Sequence, residues 1–312
     1  MGAADLVPGV SGGTIAFIFG IYEKLIESIK LVSGDVPKLI LKGKFKDAFS
    51  VVPFGFLVPL AVGLVVAIAS LTSFLTFLLD AHPEKLWSFF FGLVLASVWV
   101  VGRRVDKWGM KEGLALCLAT VVAYIIVGFV PVTTPATALY FFFSGMIAIS
   151  AMILPGVSGS FLLIVMGKYE QVITMVKKFF EVISLFLSGE AQSAISLVES
   201  AGLLMLVVFA LGAVLGLALF SRVLSFLFKR YESVIIAVLT GFMIGSLRKM
   251  WPWKETIETQ IDRHGKVVPI VQNNVLPEHF SSQELFVVFL CFVGIFVVVI
   301  LSKMKFTQKE VL

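Results

Sequence analysis

From Val51 to Leu79 the sequence runs for 29 residues without a charged side chain, and a run of the same length follows from Gly113 to Phe141. About 20 apolar residues carry a helix across the hydrocarbon of a bilayer. Soluble folds bury apolar strands, but polar turns interrupt those strands well before such a length. Hydrophobic residues make up 59% of the 312 residues and charged residues 14%, whereas an ordinary soluble domain is roughly 45–50% apolar and about a quarter charged. The excess belongs in lipid. Further apolar spans are expected at 86–102, 200–221, 233–247 and 284–302.

The minor composition fits the same setting. Phe occurs 30 times, suiting packing and lipid-facing surfaces, and Trp87, Trp99, Trp108, Trp251 and Trp253 fall near span ends, as interfacial anchors do. Cys117 and Cys291 lie inside apolar runs and His82, His264 and His279 are scattered in loops, so neither a disulfide nor a metal site is expected. The formal charge of +5 is modest. Its basic residues sit beside spans, which reads as orientation rather than nucleic-acid binding. No basic leader with a cleavage site precedes the first motif, so no signal peptide is expected.

One short string occurs twice. Pro8-Gly9-Val10-Ser11-Gly12-Gly13-Thr14 is answered 147 residues later by Pro155-Gly156-Val157-Ser158-Gly159-Ser160, and Gly20-Ile21-Tyr22-Glu23 by Gly167-Lys168-Tyr169-Glu170. The pair Gly92 and Ser97 is echoed weakly by Gly241 and Ser246. Two copies of one unit follow. Proline and clustered glycine break a helix, and the helical pattern resumes after Thr14, so each motif reads as helix, break, helix. At membrane depth such backbone is tolerated only against protein or a polar cavity. An apolar arm, Ala138 to Met152, precedes the second motif. Its counterpart in the first copy would start before residue 1, and the native chain is expected to begin upstream.

Counting spans gives the topology. If each broken segment is a hairpin that re-enters and returns, each unit has three true spans, an odd number, and the second unit is inverted. With the tail inside, the basic loops 30–50, 103–112 and 222–230 are also inside, while 80–85, 131–136, the acidic 176–199 and the polar 248–283 are outside. Several basic residues in 248–283 fit that rule poorly. The alternative, eight spans in parallel repeats, fits the charges less well. The expected fold is therefore an all-α integral membrane protein of inverted-topology repeats, each with one re-entrant helical hairpin and about three transmembrane helices. The first repeat covers 1–130, the second 137–303, and 304–312 form a cytoplasmic tail.

Matched broken helices suit a secondary transporter that holds its substrate at half-helix ends. A helix starting after the first motif offers free backbone N–H groups at Ser11, Gly12, Gly13 and Thr14 with two hydroxyls, and the second offers Ser158, Gly159 and Ser160, an environment for an anion. The competing reading is that the glycines only permit close packing and the prolines only kink. Arg103, Arg104, Arg222, Arg248 and Lys249 flank short spans and are candidates to meet a phosphate headgroup, Arg103 and Arg248 foremost, although positive-inside anchoring also explains the first three. Asp5 either couples transport to a proton or sodium ion or caps the break. Glu23 and Glu170 are matched coupling candidates whose plainer role is an interfacial polar end. No cofactor is implied. An acid, base or nucleophile constellation for a lipid-phosphate enzyme is not evident, and a channel suits matched broken helices less well.

The motifs at Gly2–Thr14 and Gly145–Ser160 together make the chain resemble the polyprenyl-phosphate (undecaprenyl-phosphate) transporter family, and the resemblance spans essentially the whole sequence. It implies a multi-pass protein of the bacterial cytoplasmic membrane that returns the lipid carrier phosphate to the inner leaflet for envelope synthesis. Its partners would be that lipid and the surrounding membrane lipids, with homo-oligomerisation left open.

Overall fold

The computed structural model describes residues 1–5, 11–129, 132, 134–190, 192, 195–197, 202–261, 267–277 and 279–303. Leu6, Val7, Pro8, Gly9 and Val10 of the first motif, Pro131 and Thr133 of the linker, Glu199, His264 and the tail 304–312 lie outside the described residues.

The chain opens with α1 (Gly2–Asp5), then α2 (Gly12–Ile18) and α3 (Tyr22–Lys30). The basic stretch expected as a loop is helical instead. A π turn over Leu31–Asp35 leads to α4 (Val36–Leu41) and α5 (Phe45–Val51). The π turn falls just before Pro37, which cannot donate to the helical ladder. Its Gly34 leaves room for Arg222, whose guanidinium nitrogen would lie 2.8 Å from a Cβ there. Three apolar helices follow: α6 (Phe54–Ala81), α7 (Pro83–Gly102) and α8 (Met110–Val127). Leu75 is the one buried residue of α6 among its 28. A soluble protein does not expose an apolar face of that size.

The second unit begins with α9 (Ala138–Ile153), α10 (Gly159–Val165) and α11 (Tyr169–Leu187). The expected loop from residue 176 is thus the second half of an amphipathic helix, with Val172, Met175 and Val182 buried and Phe180 and Leu187 exposed. Helix α12 (Leu203–Met250) has 48 residues and loses helical geometry at Tyr231 (φ −139°, ψ 43°). At about 1.5 Å per residue it is far too long for one crossing, so the kink divides it into two limbs. The expected loop 222–230 is helix up to this kink. Arg222, Lys229 and Arg230 are good helix formers with no Gly or Pro among their neighbours, and a helix emerging from lipid has no reason to stop at the first charge.

Beyond α12, β1 (Lys254–Ile261) and β2 (Val267–Asn274) pair antiparallel from Lys254↔Asn274 to Ile261↔Val267, and α13 (Ser282–Lys303) ends the described chain. The hairpin departs from the all-α expectation in a segment outside the spans. The helices α6, α7, α8, α12 and α13 are long and apolar enough to cross a membrane, so the protein is a mostly helical, multi-pass membrane protein.

Close helix pairs meet at glycine. Gly92 of α7 faces the carbonyl of Cys291 on α13, and Gly241 of α12 approaches Leu116 of α8, whose carbonyl would lie 2.5 Å from a Cβ at that position. These are the two glycines matched by the repeat. In lipid, where apolar surface alone drives little association, such backbone approach supplies the packing.

The bundle has two distinct ends. At one, Arg248 donates to the Tyr124 carbonyl (3.0 Å) and Lys254 lies 4.0 Å from the Trp87 ring centre, gathering the C-termini of α8 and α12, the start of α7 and the hairpin. At the other, Lys229 pairs with Glu27 (3.1 Å) and Arg104 lies over Phe17 (5.4 Å), gathering α3, the end of α7 and the α12 kink.

Candidate functional site

Ser11 is the N-cap of α2, with extended backbone (φ −121°, ψ 136°) and an Oγ that accepts from Gly13 N at 3.1 Å. Ser158 caps α10 in the same way (φ −102°, ψ 124°), accepting from Phe161 N at 3.4 Å, and lies 2.8 Å from Ser160 Oγ. Each cap is followed by a seven-residue helix and then a glycine with positive φ, Gly20 at 72° and Gly167 at 64°. That backbone suits glycine, lacking a Cβ. From the serine cap to the positive-φ glycine the two copies thus share one local fold, and differ in which helical N–H the serine accepts.

Their tips touch. Ser11 Oγ donates to the Met152 carbonyl (3.3 Å) and Tyr22 OH to the Ile153 carbonyl (3.1 Å). Both are terminal carbonyls of α9, which has no further turn to satisfy them. Hydroxyls of the first unit therefore finish a helix of the second. Tyr22 is held by Phe17 (4.7 Å between ring centres) and Phe228 (5.8 Å) in the packed core.

Beside this junction lies a cavity of about 330 Å³ lined by Asp5, Ser11, Ser158, Gly159, Ser160 and Tyr169, with a wall of Ala148, Ile149, Met152, Leu163, Phe209 and other apolar groups. Five residues predicted from sequence, Asp5, Ser11, Ser158, Gly159 and Ser160, meet here. Three do not line it. Gly12 leaves space for the Asp5 carboxylate, which accepts from Gly12 N at 2.6 Å. A Cβ on Gly13 would lie 2.7 Å from the Ile153 carbonyl, and Thr14 is fully buried. The N-terminus of α2 is thus occupied by the chain's own carboxylate and serine.

The other predicted residues lie elsewhere. Arg103 stacks over Trp99 (4.6 Å) at the end of α7, and its neighbour Arg104 is the one that reaches the first unit, over Phe17 and against Gly20. Glu23 lines a separate cavity of about 230 Å³ with Glu27, Ser225, Lys229 and Glu232. Glu170 is exposed in the first turn of α11. Arg248 lies at the opposite end of the bundle from Arg103. Among the described residues no cluster of three or more His, Cys, Asp or Glu could hold a metal ion.

Two residues with structural weight were hidden from sequence reasoning. Lys168 is fully buried and donates to the carbonyls of Thr134 (2.9 Å) and Pro135 (2.8 Å), clamping the linker to the base of α10. Its repeat partner is Ile21, so the internal alignment gave no signal. Lys254 sits in the polar stretch where nothing distinguished one basic residue from the next.

Residues 1–268 match a family model described as undecaprenyl phosphate translocase-like. A polyprenyl-phosphate transporter of Vibrio cholerae serotype O1 is 40% identical over 282 residues, covering 90% of this chain and 84% of that protein. A polyprenyl-phosphate transporter of Staphylococcus aureus is 30% identical over 264 residues, covering 81% and 83% respectively. No solved structure matches significantly. By the extent of these matches, the chain belongs to the undecaprenyl phosphate translocase-like family.

Proposed function

We infer that this protein translocates polyprenyl phosphate, with undecaprenyl phosphate as the physiological form, across the bacterial cytoplasmic membrane, returning the carrier for envelope synthesis without chemical change to it. The observation that carries this reading is the cavity where the two capped helices meet. It has hydroxyls at one side and an apolar wall from α9 and α12 at the other, as a lipid with a charged head and a long tail requires.

The units are inverted repeats, 1–130 and 137–303. Two helix contacts and the placement of the two motifs favour this. The second α7-like span of each unit packs on the last span of the other, through Gly92 with Cys291 and Gly241 with Leu116. The first motif leads to the Arg104 end, and the second returns to the Lys168 end. The tips then meet from opposite faces, which suits alternating access around a central site. Most basic residues gather at the first end, which we assign to the cytoplasm.

Asp5 is the coupling candidate. A carboxylate and a phosphate in one water-poor cavity repel strongly, so headgroup entry needs a proton or a cation on that side chain. Transport of polyprenyl phosphate in proteoliposomes tests the reading: Ser158→Ala is expected to slow it about tenfold, the scale of a lost charge-assisted hydrogen bond. Unchanged transport in both Ser11→Ala and Ser158→Ala would remove the cavity from the mechanism.

A further inference from the structure

A third cavity, about 70 Å³, lies between the C-termini of α8 and α12 and the β-hairpin. Arg248, Lys249 and Lys254 line it together with Gln272 and Asn274. Three basic side chains converge there, and none of them belongs to any of the three ion pairs found among the described residues. Like charges held together without a counter-ion repel one another, and nothing in a fold gains from that arrangement unless an anion completes it.

The cavity is built rather than incidental. Gly128 at the end of α8 lies so close to the Arg248 guanidinium that a side chain there would displace it. One guanidinium N–H goes to the Tyr124 carbonyl while the group lies over the Tyr124 ring (4.3 Å), which fixes its plane and leaves other donors for a ligand. Lys254 donates to the Lys249 carbonyl (2.7 Å) and is braced by Trp87. The hairpin is strapped down at the same place, Asn274 donating to the Arg248 carbonyl (2.8 Å) and Trp251 to that of Val275 (2.8 Å). A fork of planar and point-charge donors is the chemistry that recognises phosphate.

We propose that Arg248, Lys249 and Lys254 form a phosphate-binding site at the hairpin end of the bundle, distinct from the central cavity, where a phosphomonoester docks before transfer inward. Lys249 joins the two places: its ammonium lies 5.2 Å from the ring centre of Phe161, whose N–H is capped by Ser158. The site also accounts for the basic residues that the positive-inside rule leaves unexplained on the face assigned to the outside. Headgroup and free phosphate share this chemistry. The assignment of the lipid as the natural ligand rests on the transport reading, and the phosphate site itself does not.

The test is calorimetric titration of the purified full chain in detergent with three probes: farnesyl phosphate, farnesol and inorganic phosphate. Farnesyl phosphate is expected to bind, farnesol is not, and the Arg248→Gln/Lys254→Met double variant should weaken phosphate-dependent binding at least about tenfold. Lys254→Arg should restore most of it in the single-residue context, and Lys85→Gln, at the same end of the bundle but outside the cavity, should leave it unchanged. Gly128→Ala moves the guanidinium without deleting charge and should weaken binding about threefold or more, so a double variant that fails to fold does not end the test. Loss of affinity for farnesyl phosphate alone identifies the lipid headgroup as the ligand, and equal loss for inorganic phosphate identifies the phosphate group as sufficient. Wild-type affinity for both in the double variant and in Gly128→Ala overturns the site. Proteoliposome flux is measured in parallel. Binding without flux would overturn transport and leave the site, whereas flux with unaltered binding would do the reverse.

Discussion

From Ser11 and from Ser158 onward the two copies of the repeated motif fold alike and present different chemistry. In the first, Ser11 is 2% exposed and Tyr22 1%, and the N–H groups that open α2 are taken by Asp5 and Ser11. In the second, Ser158 is 8% exposed and Tyr169 37%, both facing the central cavity. The position matching Asp5 is Met152, and the position matching Ile21 is Lys168. One copy carries an acid at its helix N-terminus and presents only Asp5 and Ser11 to the cavity; the other carries a buried cation at its base and presents Ser158, Gly159, Ser160 and Tyr169. Symmetry of local fold therefore does not bring symmetry of exposure.

The strongest effects are expected at two turns that are not repeat partners, since Gly156 answers Gly9, outside the described residues, and Gly20 answers Gly167. Gly156 has φ +81° and its Cβ position lies 2.8 Å from the Met243 backbone, whereas Gly20, at φ +72°, meets only the tip of Arg104 at 3.3 Å. Gly156→Ala combines strain and overlap and should cost about 3 kcal/mol or more, read as lost thermal stability in detergent. Gly20→Ala should cost about 1–2 kcal/mol, from backbone strain alone.

Next in size is Asp5. Asp5→Asn keeps an acceptor for Gly12 N and removes the charge, so transport should persist while its response to an imposed proton or sodium gradient disappears. A gradient response identical to the wild type would return Asp5 to a plain capping role.

Smaller effects separate the hydroxyls. Tyr22→Phe loses the buried bond to the Ile153 carbonyl and should destabilise by about 1 kcal/mol, whereas Tyr169→Phe should change stability by less than about 0.5 kcal/mol. Equal losses would mean that the exposed copy is as tightly built as the buried one.

A pH dependence at the hairpin stands outside this order, because it is read as a slope rather than as the effect of a single substitution. Burial, and then the charge of Lys249, push the Lys254 ammonium down to about 7. An unfolded lysine titrates near 10.4. Between these values the unfolded chain holds the extra proton, so stability should rise with pH from about 7 to about 10 and stay flat below 7 as far as this group is concerned. Thermal unfolding of Lys254→Met should lack that rise. Saturating phosphate, which favours the charged ammonium, should flatten it in the wild type.

Much of this molecule was legible in the sequence because lipid imposes simple rules. Charge-free runs became α6, α8 and the first limb of α12, and the Ser-Gly steps became helix N-caps, since proline and glycine leave few alternatives. What the sequence obscured was where helices continue past lipid. Residues 30–50 and 222–230 were expected as loops because they are charged, yet water satisfies a helix as well as a loop and Leu, Lys and Arg favour helix there. The hairpin carried a weak alternating signal in Thr256-Ile257-Glu258-Thr259, masked by its polarity. Asp5 was recognised as a capping or coupling group, but its bond to Gly12 spans the motif itself, and only three dimensions show that it occupies the expected anion position. Arg103 and Arg104 adjoin one span end, and nothing in the pattern says which of two adjacent arginines turns inward.

The central claim is that one polyprenyl phosphate sits between the two motifs with its tail in lipid. An electron cryomicroscopy map of the protein in nanodiscs saturated with polyprenyl phosphate measures this directly. The account predicts headgroup density within hydrogen-bonding reach of Ser158 and Ser160, with tail density along the apolar wall formed by Ile149, Met152 and Phe209. A map in which the lipid lies only around the outer faces of α6 and α13, with the cavity between the motifs filled by side chains, would contradict it.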